Sequence, residues 1–251
     1  ISFRAINILK KVNLILCEDT RQTNKLLQKY QFTNHLISFN KNNFFKKIPR
    51  IIDDLKNRKS IALVSDAGLP SICDPGEELV KEIRKIGFEA ICIPGPSAVL
   101  TALVSSGFPS SNFIFEGFLP KRGKERSKVL NEISKNHKTT ILFESPHRIK
   151  ELLNQLKDHC GGDREIFISR ELTKKFEENI GSSINEMIEI FEEKIIQGEF
   201  TILIKGIKYE ETNNYKEAEI KNELQELVKA GLSLSSASKY LAKKNNISKR
   251  L

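Results

Sequence analysis

Ser60-Ile61-Ala62-Leu63-Val64-Ser65 runs into Asp66-Ala67-Gly68-Leu69-Pro70, and Glu89-Ala90-Ile91-Cys92-Ile93 runs into Pro94-Gly95-Pro96-Ser97-Ala98. Each is a short apolar run that reads as a strand, broken by glycine and proline, with a helical pattern directly behind it. Glycine at such a break lets the backbone take positive φ or come close to a ligand, and the free N–H groups of the following helix can hold an anionic group. Together the two units outline a cofactor pocket in an α/β fold.

Upstream, residues 3–12 read as a helix with Phe3, Ile6, Ile8 and Leu9 near one face, feeding a strand at 13–17. Glu18-Asp19-Thr20-Arg21 stands at that strand's carboxyl end, where ligands gather in open α/β sheets. Asp19 or Thr20 equally suits the N-cap of a helix over 22–30. A short strand at 36–39 and a helix at 44–57, kinked or divided by Pro49, lead into the opening pair. Between its members, Asp74-Pro75-Gly76-Glu77 has capping-box spacing, followed by the stripe Leu79, Val80, Ile83 and Ile86. Pro96 opens a helix to about Ser106, which Gly107-Phe108-Pro109 stops.

Downstream, an aromatic strand at 113–118 precedes the basic loop Leu119-Pro120-Lys121-Arg122-Gly123-Lys124-Glu125-Arg126. Five residues separate Gly117 from Gly123 and glutamate follows the lysine, which excludes a P-loop. Basic residues beside aromatic ones suit phosphate contacts, or simply a solvated loop. A strand at 139–143 ends in Glu144-Ser145-Pro146-His147-Arg148, with Ser145 as N-cap, Pro146 as first helical residue and Ile149, Leu152, Leu153 and Leu156 as the buried stripe. A strand at 164–169 leads into Arg170-Glu171-Leu172-Thr173-Lys174. Ser183 and Glu186 cap a helix burying Ile184, Met187, Ile188, Phe191 and Ile195, and residues 200–204 form the last strand. This divides the chain into α/β domains at 1–108 and 109–207, a polar linker at 208–217, and a helix-turn-helix-like module at 218–251 whose end is basic through Lys243, Lys244, Lys249 and Arg250.

The 251 residues carry 41 basic and 32 acidic side chains, a net charge of +9 that favours a polyanionic partner such as RNA. Lysine, asparagine and isoleucine are abundant throughout, which accounts for part of that charge. Cys17, Cys73, Cys92 and Cys160 are isolated, with no C-x-x-C pair or histidine at ligand spacing, so buried thiols are expected and no metal. No apolar run is long enough to span a membrane and no signal-peptide pattern occurs at the start, so a cytoplasmic protein is expected. Met187 is the only methionine, so residues are expected in front of Ile1, and the terminal module stops where a further helix would begin.

In order along the chain, Glu18-Asp19-Thr20-Arg21, Val64-Ser65-Asp66-Ala67-Gly68-Leu69-Pro70, Asp74-Pro75-Gly76, Pro94-Gly95-Pro96-Ser97-Ala98, Gly117-Phe118-Leu119-Pro120, Phe143-Glu144-Ser145-Pro146-His147-Arg148 and Arg170-Glu171-Leu172-Thr173-Lys174 resemble one family. It is the bacterial 16S ribosomal RNA cytidine 2′-O-methyltransferases, a branch of the tetrapyrrole methylase fold class. The resemblance implies two α/β domains with S-adenosylmethionine in the cleft between them, commonly a homodimer. It also implies a substrate, the 2′-hydroxyl of a decoding-site cytidine (cytidine 1402 in the usual rRNA count) in the small ribosomal subunit. By motif, Asp66, Ala67, Gly68, Pro94, Gly95, Ser97 and Ala98 line the cofactor, and Phe143, Leu172 and Thr201 complete the pocket from the second domain. Family members begin with a strand and a Pro-x-Gly-Asn-Leu loop ahead of the position of Ile1.

Methyl transfer from a sulfonium asks the protein mainly for orientation, with a base to help the hydroxyl. Glu144 at the end of a buried strand is the first candidate base, and His147, read as lying about a turn into the next helix, is the second. Arg148, Arg21 and Asp19 complete the catalytic group, the arginines as phosphate grips. The same spacing also lets Glu144 and Arg148 simply pair. Other readings are a tetrapyrrole or diphthamide-precursor methylase of the same fold, and a non-catalytic rRNA-binding protein, which leaves the Gly/Pro loops unexplained.

Overall fold

The computed structural model describes residues 1–194, 196–208 and 213–245. They form two compact units, Ile1–Gly206 and Ile207–Leu251, and the first contains both sheets.

The first sheet is parallel, with β1 (Leu14–Cys17) between β2 (Leu36–Ser38) and β3 (Ile61–Val64). All four residues of β1 are buried, as a central parallel strand with both faces covered requires. One face packs Leu14, Leu16 and Phe39 against Ile48 and Ile51 of α3 (Phe44–Lys56) and Leu79 and Ile83 of α4 (Glu77–Lys85). The other packs Ile15 against Leu9 of α1 (Phe3–Lys11) and Leu27 of α2 (Thr20–Lys29). Each such side chain, removed from water, contributes about 1.5–3 kcal/mol. Cys17 pairs with Ser38 on one side and Val64 on the other, so the three carboxyl ends lie level. That places the tips carrying Glu18, Lys41 and Asp66 side by side.

The second sheet runs β4 (Phe113–Phe118), β5 (Thr139–Glu144), β8 (Phe200–Ile204), β6 (Glu165–Arg170), β7 (Glu178–Ser183). Only β4 and β5 are parallel neighbours. On one face Leu142, Ile166, Ile168, Phe200, Ile202 and Ile204 meet α6 (Lys124–Lys135), α7 (Ile149–Cys160) and α8 (Ile184–Glu193). On the opposite face Ile141 and Leu203 are covered by Val99, Ala102 and Leu103 of α5 (Ala98–Ser106). Because α5 follows the first sheet in sequence yet packs on the second, it ties the two halves into one unit.

Several expectations are corrected. Residues 89–93 form no strand; Ile91 is 67% exposed and Cys92 is exposed, because β3 pairs only with β1 and offers this segment no ladder. The capping box at Asp74 is not made: Gly76 is the N-cap of α4, without a side-chain cap, and Asp74 turns elsewhere. Of that helix's expected stripe Ile86 is exposed, as is Phe3 of α1. Pro96 does not open α5; Ser97 caps it and Ala98 begins it. Pro49 neither divides nor ends α3. Ser145 does not cap α7, since residues 146–148 form a turn and Arg148 is the N-cap, which leaves His147 ahead of the helix. β7 was not anticipated, because Glu178-Asn179-Ile180-Gly181-Ser182-Ser183 lacks apolar alternation; it is an edge strand held by its ladder to β6. The capping box at Ser183 and Glu186 is present, and Ile184, Met187 and Phe191 are buried as expected, while Ile195 lies outside the described residues.

The second unit contains α9 (Asn213–Lys229), which begins inside the expected linker, and α10 (Leu234–Asn245). Gly231 at φ 99° turns the chain, Ser233 accepts from Ser236 N–H, and Ala237 and Leu241 are buried. Lys249 and Arg250 lie outside the described residues. Among the described residues no helix is long and apolar enough to cross a membrane, and no cluster of His, Cys, Asp or Glu suits a metal ion.

Candidate active site

Two sets of strand ends meet at this site. From the first sheet, Asp66 accepts from the Asp19 N–H at 3.3 Å, binding the tip of β3 to that of β1. Asp74, freed from any capping role, joins them. Burial pushes its carboxyl up, with Asp66 and Glu199 adding to the shift and Lys41 opposing it. Glu18 is pushed up likewise, by burial first and then by Asp74 and Asp66. Glu199 precedes β8, so this carboxylate group reaches from the first sheet to the second. Ala67 and Gly68 are exposed beside it, and Gly68 takes φ +71° with no atom within 4 Å of where a Cβ would stand.

From the second sheet, strand alternation sorts the predicted residues. Phe143 and Thr201 are direct partners in the β5–β8 ladder and share the face covered by α5, where Leu172 also packs. Ser97 caps α5 beside them, with Ala98 as its first residue; Pro94 and Gly95 are exposed in the loop before it. The structure thus brings Phe143, Leu172 and Thr201 to one face.

Glu144 is one residue further along β5 and therefore faces the other way, into the layer of α6 and α7. Its side chain is fully buried. Oε1 accepts from Arg148 Nη2 and from the Ser145 N–H, each at 2.7 Å, and Oε2 lies 3.9 Å from Nη1 of Arg126, itself 3% exposed. Arg126 donates from Nη1 to the Pro120 carbonyl at 2.9 Å and from Nε to Gln155 at 2.7 Å, and Arg148 donates to the Leu119 carbonyl at 3.4 Å. Glu144 therefore anchors two arginines that hold the loop after β4. The sequence reading put Arg126 in the basic loop as a phosphate contact or a solvated charge; it is instead a buried residue of α6, and its helical spacing from buried Leu130 and Ile133 was a legible signal of that.

Asp19 caps α2 by accepting from Arg21 N–H at 2.8 Å and takes the Arg21 guanidinium at 2.7 Å, which lowers its pKa to about 2. Arg21 is otherwise largely exposed, and His147 is exposed in its turn. Cys17 is buried as expected, and burial raises its thiol pKa.

The parallel sheet, the mixed sheet and the helix that ties them place the chain in the tetrapyrrole methylase fold class. Residues 1–188 match the family described as Tetrapyrrole (Corrin/Porphyrin) Methylases. The fold resembles a cobalt precorrin-4 methyltransferase at TM-score 0.61 (15% identity, 82% of this chain and 88% of that one). It also resembles a Thermus thermophilus uroporphyrin-III C-methyltransferase, solved with S-adenosyl homocysteine, at TM-score 0.56 (14% identity, 81% and 90%).

Within that class the chain belongs to the ribosomal RNA small subunit methyltransferase I family. It is 42% identical to the Bacillus subtilis member over 99% of this chain and 86% of that protein. With the Thermotoga maritima member it shares 46% identity over 82% of this chain and 92% of that one.

Proposed function

We propose that this chain transfers a methyl group from S-adenosylmethionine to the ribose 2′-hydroxyl of a cytidine in 16S rRNA, with the decoding-site cytidine of the small ribosomal subunit as target. The observation that carries the reading is the gathering of Phe143, Thr201 and Leu172 on one sheet face, with Asp74 linking the carboxylates at the tips of β1 and β3, Glu18 and Asp66, to Glu199 just ahead of β8. Carboxylates suit a donor that is cationic at sulfur and at its amino group, and the open space at Gly68 suits close backbone approach. Asp66 to Gly68 and Pro94 to Ala98 hold this donor from the first sheet's side, Phe143, Leu172 and Thr201 from the second's. When bound, it supplies an activated methyl, so the protein's main task is to orient the hydroxyl.

Glu144 is committed to its arginines, which makes it a positioning residue. The exposed imidazole of His147 is the group that takes the hydroxyl proton, and the largely exposed Arg21 grips a neighbouring phosphate, while Arg148 stays on Glu144 and the Leu119 carbonyl as part of the loop's brace. The basic α9–α10 unit adds RNA affinity. The enzyme acts in the cytoplasm, with its ribosomal substrate, and as a homodimer; Leu100 and Val104 of α5, 54% and 81% exposed, give a second copy an apolar surface. Incubation with small subunits and labelled S-adenosylmethionine tests the reaction: the product must resist alkaline cleavage at a single cytidine. Label on a base, or none with intact subunits, overturns the reading.

A further inference from the structure

The loop after β4 carries a surface that the reaction as described leaves unused. Phe115 and Phe118 are three residues apart, which on a regular strand puts them on opposite faces. Between Phe115 and Gly117 the β4–β5 register shifts by a bulge, Gly117 taking φ +65°, so that Phe115 pairs with Ile141 and Phe118 with Phe143. Both rings thus lie on the α5-covered face. Phe143 packs edge-on to Phe115 at 5.0 Å and against Phe118 at 5.6 Å, and Phe118, at the end of this row, remains 52% exposed.

Directly after it come Lys121, Arg122 and Lys124, all exposed, and none forms an ion pair with another of the described residues. Leu119 and Pro120 between them are fixed by the Arg148 and Arg126 donors anchored on Glu144. An exposed aromatic ring beside the donor-facing Phe143, on a braced loop with unpaired cations next to it, has the chemistry that binds an unstacked nucleobase and its phosphates.

We infer that Phe118 stacks on a nucleobase of the substrate RNA at the reaction centre, the target cytosine or its immediate neighbour, while Lys121 and Arg122 hold the flanking phosphates. The inference rests on the RNA reading above. A 2′-hydroxyl can be presented in line only if its nucleotide is held against rotation, and a ring one residue row from the donor supplies that restraint.

The test uses the full chain with F118A, F118L, F118Y and F118W. Methyl transfer to small subunits is read as kcat and KM, S-adenosylmethionine affinity by calorimetry, and binding of a fluorescent single-stranded oligoribonucleotide by anisotropy over a salt series. F118A and F118L should lose roughly ten- to a hundredfold in kcat/KM and weaken oligonucleotide binding, with donor affinity unchanged, while Tyr and Trp restore both. K121A and R122A should each flatten the logarithmic salt slope by about one unit. Wild-type behaviour of F118L overturns the inference, because leucine keeps the packing on Phe143 and lacks only the π face. So does a change of oligomeric state with RNA binding intact. If the wild type methylates no ribosomal RNA, the functional reading fails, while the anisotropy series still decides whether Phe118 stacks on a base.

Discussion

Replacing Glu144 with glutamine removes one charge from a place where both partners are sealed from water: the carboxylate side chain is 0% exposed and Arg126 is 3% exposed. Glutamine can still accept from Ser145 N–H and from Arg148, but its amide nitrogen would face Arg126 Nη1 as donor against donor. Breaking a buried pair from one side costs about 3–5 kcal/mol, because the remaining charge is stranded. For a chain of this size that lowers Tm by roughly 6–20 °C. Thermal unfolding followed by circular dichroism reads it, and adding R126M should recover part of the loss, with a coupling of about 1 kcal/mol or more. Below its melting range E144Q should bind S-adenosylmethionine normally and show an unshifted pH–rate profile, with kcat reduced only as far as the loop at Leu119 and Pro120 loosens. A variant that melts with the wild type yet loses about a thousandfold in kcat, the scale of a lost general base, would refute the anchoring argument and restore Glu144 as base.

Gly95→Val should weaken S-adenosylmethionine binding at least about tenfold by calorimetry while changing stability by no more than about 0.5 kcal/mol, since the new Cβ meets only the Ile93 carbonyl at 3.9 Å. Gly68→Val is a poorer probe, because φ +71° adds strain of about 1–2 kcal/mol. Asp74→Asn should stabilise the ligand-free protein at pH 7 by a few tenths of a kcal/mol and weaken donor binding. The Asp74 pKa is raised on folding, so the wild type is favoured below the ordinary aspartate range and loses that advantage as pH rises through the folded value; denaturation at pH 3 should show the variant's electrostatic gain gone. Removing residues 207–251, which form their own compact unit, should raise KM for small subunits about tenfold and flatten its salt dependence without altering donor affinity.

Local chemistry wrote much of this chain legibly. The run Ile149, Leu152, Leu153, Leu156 states which face of α7 is buried, and Ser183 with Glu186 states where α8 begins, because helical period and cap satisfaction act within a turn. Glycines and prolines at strand ends marked the loops of the site for the same reason. Residues 89–93 show the limit, since an apolar segment becomes a strand only when another strand supplies its ladder. The facing of Phe143 and Glu144 follows from strand alternation, yet which face meets α5 and which meets α6 and α7 was fixed only by packing. Asp74 carries a cap's sequence but turns to the carboxylates of a neighbouring strand, and Arg126 becomes a core residue because Glu144 lies in the adjoining layer. The bulge before Gly117 moves Phe118 onto the face of Phe143, a one-residue register shift that depends on the partner strand and that no window of sequence contains.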